Sequence, residues 1–249
     1  MNSDKTCSDQ ASDRSWPLPS HSYAMRMSWH DLLFAHWSFA PEQINALLPN
    51  GVVVDTFAGR AWVAIVPFHM SDVAPRFVPE LPWLSRFPEL NIRTYVSIQG
   101  KSGVWFFSLD ATNPIAVRVA RTAFHLPYMD AKMRCTQDGL WYGYHSHRTH
   151  RGAPTATFVG RYRAIDEEFY AQPGTLEYWL TARYCLYTQD RKGNLLRGEI
   201  DHPPWTLQRA ELIVEENTML ESLGLATEEE PHLLFSKDLA VRAWLNERV

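Results

Sequence analysis

Residues 87–111 read FPELNIRTYVSIQGKSGVWFFSLDA, two alternating runs separated by a short segment that contains two glycines. Alternation of apolar and polar residues is typical of β-strands, and a glycine-containing segment between two such runs predicts a hairpin. If residues 100–103 form the loop, Arg93 lies opposite Asp110, and the two faces of the hairpin differ in polarity. The predicted polar face consists of Glu89, Asn91, Arg93, Tyr95, Ser108 and Asp110. The opposite face is apolar enough to pack against a core.

The rest of the chain is also rich in predicted strands. They are expected at residues 29–39, 52–57, 61–68, 131–136, 141–147, 155–163, 184–188, 195–200, 207–214 and 232–235, of which 29–39 is also compatible with a helix. Short helices are expected at 41–48, 115–124, 176–180 and 215–223, and the four prolines of 71–88 predict an irregular loop. This pattern predicts a mainly β (α+β) fold, an antiparallel β-barrel or cone with a few short peripheral helices. Residues 1–20 predict a disordered N-terminal tail, and residues 21–249 a single domain.

Composition excludes several classes of protein. The 249 residues include 24 Lys+Arg and 28 Asp+Glu, with no basic block, which argues against binding nucleic acid. No apolar run approaches the roughly 18 residues of a membrane helix, so no membrane association is expected. The first twenty residues lack the apolar stretch of a signal peptide, and the three cysteines form no paired motif. We therefore expect a cytoplasmic protein.

The polar face of the hairpin is the first candidate for a functional site. If it lines a barrel lumen, Arg93 can bind a carboxylate and Glu89 can act as an acid or base. Alternatively, this face meets solvent and Arg93 and Asp110 form a weak surface pair. His145 and His147 share a strand face at a spacing compatible with metal ligands, although a strand end running into an exposed loop is the favoured explanation. The chain has no common cofactor motif, so neither a cofactor nor a metal is predicted.

Seven segments resemble the uncharacterised bacterial YqjF-like family. They are LLFAHW, LLPNGVVVDTFAGRAWVAIVPFHM, FPELNIRTYV, GVWFFSLDA, HLPYMDAKM, GTLEYWLTARYCLY and HPPW, and the resemblance covers about residues 23–235. The family is similar in fold to acetoacetate decarboxylase, a cone-shaped antiparallel barrel with its active site inside. That enzyme uses a Schiff-base lysine, a glutamate from an earlier strand and a nearby arginine. The resemblance implies that Glu89 corresponds to the glutamate and that Tyr128 stands where the lysine is expected. Amine catalysis would then depend on Lys132, the one lysine in a predicted strand.

Two functions are compatible with these observations. The first is a binding protein or lyase-like enzyme for an organic acid or carbonyl compound, with Glu89 and Tyr128 as catalytic groups. Its substrate-binding residues would be Arg93, Tyr95, Asn91, Ser108 and Asp110. The second is a non-catalytic protein-interaction module whose barrel is filled by side chains, since the chain is 13% aromatic. A homo-oligomer is compatible with either function. An empty polar cavity beside Arg93 would favour the first, and a packed interior the second.

Overall fold

The computed structural model describes residues 13–79 and 85–249. Within these residues the chain forms thirteen strands and three short α-helices. The strands are β1 (Met25–Phe39), β2 (Ala61–Pro75), β3 (Phe87–Ile98), β4 (Lys101–Ala111), β5 (Tyr128–Asp138), β6 (Trp141–Arg148), β7 (Thr157–Ala164), β8 (Phe169–Tyr170), β9 (Cys185–Gln189), β10 (Leu195–Asp201), β11 (Thr206–Asn217), β12 (His232–Ala243) and β13 (Glu247–Arg248). The helices are α1 (Pro41–Asn45), α2 (Pro114–Ala123) and α3 (Leu176–Thr181).

Nine of the strands close a barrel. Their order is β12, β1, β2, β3, β4, β5, β6, β7 and β11, and β11 pairs with β12 to complete the circle. Every pair in this barrel is antiparallel except β4 and β5, which run parallel where Leu109–Ala111 lies beside Tyr128–Asp130. A parallel pair needs a long crossover connection, and α2 lies within it. The predicted β-barrel is therefore confirmed, with mixed rather than purely antiparallel pairing.

A second, smaller ring shares five strands with this barrel. Strand β9 pairs with the first half of β4, β10 pairs with β9, and β10 also pairs with the end of β12. The seven strands β12, β1, β2, β3, β4, β9 and β10 thus form a closed ring of their own. Gly103 allows β9 to come this close, because a Cβ there would lie only 2.6 Å from the carbonyl oxygen of Cys185. We call the five shared strands, β12 and β1 to β4, the common wall.

The common wall is buried on both faces. On one face Leu33, Ile65 and Ile92 pack in one cluster with the aromatic rings of Tyr144 and Phe158, which fill the nine-strand barrel. On the other face a separate cluster faces the smaller ring; it includes Phe34, Val66, Phe68 and Trp205. Strands covered on both sides have continuous apolar runs rather than alternation. This explains why residues 29–39 are compatible with either a strand or a helix in the sequence.

The hairpin of β3 and β4 forms, but its predicted register is wrong. The turn consists of Gln99 and Gly100, whose φ angles of 54° and 76° both lie in the left-handed region, as a two-residue type I′ turn requires. Ile98 therefore pairs with Lys101, and Arg93 pairs with Phe106 rather than Asp110. The sequence pattern suggested a longer loop because Gly103 resembles a turn residue, whereas the structure uses it for the contact with β9.

A register shift between Ile92 and Arg93 also divides the predicted polar face. Beyond this bulge Ser108 pairs with Ile92, and Asp110 pairs with Leu90. Since paired residues in a sheet share a face, Ser108 and Asp110 lie on the face opposite Asn91. The six polar residues therefore do not form one surface.

Several other elements differ from the predictions. Strand β2 continues to Pro75, into the predicted loop at 71–88, of which residues 80–84 lie outside the described residues. The predicted strand at 52–57 contributes only a bridge between Val54 and Val96 and a tight turn. The predicted helix at 215–223 begins as the end of β11 and finishes as one 3₁₀ turn.

The N-terminal part of the chain contacts the smaller ring where it is described. Residues 1–12 of the predicted tail lie outside the described residues. Beyond them, Arg14 and Trp16 both bind the carboxylate of Glu199 in β10. Nowhere in residues 13–79 or 85–249 is there a helix with the length and hydropathy needed to cross a bilayer.

Candidate ligand cavity

A cavity of about 390 Å³ lies within the smaller ring. Its wall is mostly apolar and includes Met27, Trp29, Phe68, Met70, Phe106 and Trp205. The polar side chains that reach it include Glu89, Asn91, Arg93, Tyr128, Arg183 and His202. Apolar walls with a few polar groups are typical of small-molecule sites. The cavity lies on the face of the common wall opposite the filled interior of the nine-strand barrel.

Glu89 and Tyr128 form a buried acidic pair in the cavity wall. The Tyr128 hydroxyl donates a hydrogen bond of 2.7 Å to Oε2 of Glu89, and only 2% of Glu89 is exposed. Burial raises the pKa of Glu89 to about 7, although hydrogen bonds from Tyr128 and Asn91 act in the opposite direction. Near neutral pH this carboxyl group therefore exists in both protonation states, as a group that transfers protons must.

Arg93 lies two positions beyond Asn91 on the same face of β3 and is 8% exposed. Its guanidinium lies 5.3 Å from the ring centre of Phe34 and 5.9 Å from that of Tyr95. In the described part of the chain no carboxylate forms an ion pair with Arg93, and its Nε has no hydrogen-bond partner. A buried cation without a counter-ion is costly and is suited to binding an anion.

Arg183, from the segment between α3 and β9, is a second buried arginine at the cavity. Its Nη1 donates to Oδ2 of Asp55 at 2.8 Å, and its Nε donates to the carbonyl oxygen of Trp179 at 2.6 Å. Its guanidinium also lies 4.2 Å from the ring centre of Trp179. Asp55 therefore fixes Arg183 in place, while Nη2 of Arg183 has no hydrogen-bond partner among the described residues.

Tyr95 contacts the Arg93 guanidinium but does not line the cavity. It is fully buried, and its hydroxyl lies 2.8 Å from Nε2 of His36. Burial and the nearby Arg93 keep the pKa of His36 well below its usual value. The neutral imidazole of His36 can accept a hydrogen bond from the Tyr95 hydroxyl. This pair occupies the space beside Arg93 and helps to fix the guanidinium.

Ser108 and Asp110 bind Arg148 instead of Arg93. Nε of Arg148 lies 2.9 Å and 3.1 Å from the two carboxylate oxygens of Asp110, and Nη2 donates to Ser108 Oγ at 2.7 Å. Burial raises the pKa of Asp110 to about 6, although Arg148 acts in the opposite direction. The predicted pairing of Arg93 with Asp110 is therefore wrong. The sequence offered little sign of Arg148, which lies within the histidine-containing segment YHSHRTH.

Lys132 is exposed on β5, so it cannot supply the desolvated amine that a Schiff base needs. No lysine lines the cavity among the residues that the structure describes. His145 and His147 are exposed on β6, and Nδ1 of His147 lies 3.0 Å from the hydroxyl of Thr157. Within the described ranges no three His, Cys, Asp or Glu side chains are grouped to hold a metal ion.

The segment His202-Pro203-Pro204-Trp205 forms a corner that directs Trp205 inward. The indole nitrogen of Trp205 donates to the carbonyl oxygen of Thr181 at 3.0 Å. Its ring contacts Phe34 edge-on and stacks near Trp29, with ring centres 5.0 Å and 6.0 Å apart. These contacts fix one side of the cavity.

The family model of DUF2071, described as an uncharacterized conserved protein, matches residues 26–240. The chain belongs to this family. The uncharacterized protein YqjF of Bacillus subtilis (strain 168) is 41% identical to it over 228 residues, which is 91% of this chain and 93% of YqjF. The resemblance noted in the sequence is therefore confirmed, and it extends over both rings.

Solved structures with the same fold include three groups of proteins. The enduracididine biosynthesis enzyme MppR complexed with pyruvate has a TM-score of 0.64 at 10% identity, covering 92% of this chain and 91% of its own. An acetoacetate decarboxylase-like enzyme from Sphingomonas wittichii RW1 has a TM-score of 0.63 at 12% identity, and the match covers 96% of this chain and 98% of the enzyme. The acetoacetate decarboxylase of Legionella pneumophila has a TM-score of 0.62 at 11% identity, and the match covers 95% of this chain and 92% of the decarboxylase. At these identities the likeness establishes the fold: a β-barrel of the acetoacetate decarboxylase type.

Proposed function

We propose that this protein binds an organic acid or carbonyl compound in the cavity of the smaller ring and exchanges a proton with it. The observation that carries the proposal is Arg93, a buried guanidinium at the cavity without a carboxylate partner among the described residues. A ligand carboxylate would supply the missing counter-ion through charge-assisted hydrogen bonds. The solved structures with this fold include a complex of MppR with pyruvate, which agrees with this class of ligand.

Glu89 is the proton-transfer group in this proposal. Its carboxylate form takes a proton from the carbon next to the ligand's carbonyl group. The electron pair of that C–H bond forms a C=C double bond with the carbonyl carbon, and the π electron pair of the carbonyl moves to its oxygen. The Tyr128 hydroxyl then turns from Glu89 to donate a hydrogen bond to the resulting enolate oxygen. Return of the proton from Glu89 to carbon completes the exchange. This step requires no amine, in agreement with Lys132 lying outside the cavity.

The alternative of a protein-interaction module rests on the filled barrel. That description fits the interior of the nine-strand barrel, where aromatic rings such as Tyr144 and Phe158 pack against the wall. It does not account for the second ring, whose cavity contains a carboxyl group with a raised pKa and an arginine that no described carboxylate pairs with. We therefore favour ligand binding.

A thermal-shift screen of small carboxylates, keto acids and aldehydes tests the binding step. A ligand at one hundred times its Kd stabilises the protein by about 2.7 kcal/mol, which is a measurable shift. We expect keto acids to stabilise wild type and Arg134→Gln, whose arginine is exposed on β5, but not Arg93→Gln. Equal shifts in the two variants would exclude Arg93 as the carboxylate-binding group.

Proton exchange is measured separately by incubating a bound keto acid in heavy water and following its α-protons by NMR. Wild type should accelerate the exchange, and Glu89→Gln should abolish the acceleration while it retains binding. If Glu89→Gln exchanges protons as fast as wild type, Glu89 is not the base. If wild type binds a keto acid without accelerating exchange, the protein is a binding protein and the catalytic part of the proposal is wrong.

A further inference from the structure

We infer that the ligand is an elongated, amphipathic carboxylate rather than a three- or four-carbon acid. Its carboxylate would lie at Arg93, and an apolar body of about 10–15 non-hydrogen atoms would extend along β2. This inference rests on the proposed function and names the class of acid that the same cavity accepts. It follows from the size of the cavity, from its direction along β2 and from the side chains at its far end.

The first argument is size. An apolar cavity of about 150 Å³ in another protein accommodates benzene, which has six non-hydrogen atoms. The cavity here measures about 390 Å³, more than twice as much. A small keto acid would leave most of this volume unfilled, and unfilled apolar volume contributes no contacts to binding. The volume therefore favours a body at least twice the size of benzene.

The second argument is direction. Strand β2 lines the cavity from Val66 to Pro75, a distance of roughly 25–30 Å at about 3.3 Å per residue. Val66 pairs with Asn91 and lies two residues along β2 from Ala64, the partner of Arg93. Pro75, at the other end, pairs with Met25 at the start of β1. The cavity therefore extends along the strand, away from Arg93.

The third argument is the chemistry of the far end. The side chains that line it include Met25, Met27, Met70, Val73 and Trp244. Methionine side chains are flexible and polarizable, which lets them adapt to chains of different shape. The acidic residue at this end, Glu199, is already bound by Arg14, Lys101, Arg197 and Trp16. An apolar tail would therefore meet an apolar surface without an unpaired charge.

The experiment measures Kd by calorimetry for a series of straight-chain carboxylates from butanoate to dodecanoate. Each buried methylene should lower Kd about fourfold, so octanoate should bind roughly 200-fold more tightly than butanoate. Octanol serves as the probe without a charge and should bind far more weakly than octanoate to wild type. Arg93→Gln should remove this difference.

A pair of matched variants locates the tail. Val73→Trp fills the far end of the cavity, whereas Val53→Trp places the same side chain at a position that is 63% exposed. We expect Val73→Trp to weaken octanoate at least tenfold and butanoate little, and Val53→Trp to weaken neither. If Val73→Trp does not fold, the chain-length series measured with wild type tests the inference by itself.

The outcomes separate this inference from the proposed function. Arg93-dependent binding that does not tighten with chain length would overturn the inference and leave the proposed function intact. Absence of binding by every carboxylate and keto acid would overturn both. Octanol binding as tightly as octanoate would support the apolar body but contradict the role of Arg93.

Discussion

The chemistry of Glu89 depends on its burial. Its pKa is about 7 in the folded protein, against a reference value of 4.5. Between these two pH values the folded protein holds a proton that the unfolded chain has released. Because stability falls with rising pH wherever the folded state binds more protons, Glu89 makes the protein less stable as the pH rises from about 4.5 to about 7.

The substitution Glu89→Gln should remove this pH dependence. The amide stays neutral and still offers an oxygen to the Tyr128 hydroxyl. We expect its free energy of unfolding to exceed that of wild type by about 3 kcal/mol at pH 8, with little difference at pH 4.5. Urea denaturation across this range measures the effect. Profiles that remain parallel would show that Glu89 ionises normally.

Arg93 and Arg148 are both buried arginines and should respond oppositely to the same substitution. Arg93→Met removes a buried cation that no described carboxylate pairs with, so we expect the ligand-free protein to gain on the order of 1–3 kcal/mol. Arg148→Met leaves Asp110 buried and unpaired, so we expect a loss of about 3–5 kcal/mol. Urea denaturation of both variants tests the contrast. A loss of stability in Arg93→Met would mean that its contacts with Phe34 and Tyr95 outweigh the cost of burying the charge.

At the scale of elements, the turn between β3 and β4 determines which residues face the cavity. Gln99 occupies a left-handed conformation with φ of 54°, which asparagine and glycine adopt more readily. We expect Gln99→Asn to stabilise the protein by about 0.5–1 kcal/mol. Gln137→Asn, on the exposed part of β5, is the control and should not stabilise it. Thermal denaturation compares the two, and equal effects would argue against strain in the turn.

Local signals in the sequence were sufficient for the two strands of the hairpin but not for their register. Alternation identified both strands of the hairpin and placed Glu89, Asn91 and Arg93 on one face. The length of the turn was wrong because Gly103 has a role in packing that only β9 reveals. The bulge after Ile92 left no recognisable sign in the residues. A shift in register changes the partner of each residue, so Asp110 was assigned to the wrong arginine.

The rest of the site depends on pairing between strands that are far apart in the sequence, which hydrophobic periodicity cannot reveal. Tyr128 was found through the family resemblance. Arg183 and His202 carry no local signal of a site, because only the closure of the smaller ring by β9 and β10 brings them to the same cavity as Arg93. The same limit applies to the common wall. Two-sided burial removes the alternation by which a strand is usually recognised.

At the scale of the whole molecule, the common wall should be the last part to lose its structure. Its central strands are covered on both faces, whereas much of β5 beyond Ala131 is exposed. We expect amides of 32–37, 63–68 and 89–96 to exchange with solvent only on global unfolding, and those of 132–138 to exchange much faster. Hydrogen exchange followed by mass spectrometry tests this order. Similar rates in the two regions would mean that the two rings unfold as one cooperative unit.

Substitutions in the two rings should have different effects. Side chains within the filled barrel support the fold and do not touch the cavity. Leu186 and Ile200, by contrast, reach the cavity from β9 and β10, which belong to the smaller ring alone. Changes at such positions can alter the shape of the ligand site while the nine-strand barrel keeps its packing. Related proteins can therefore evolve to bind different ligands while the nine-strand barrel remains stable.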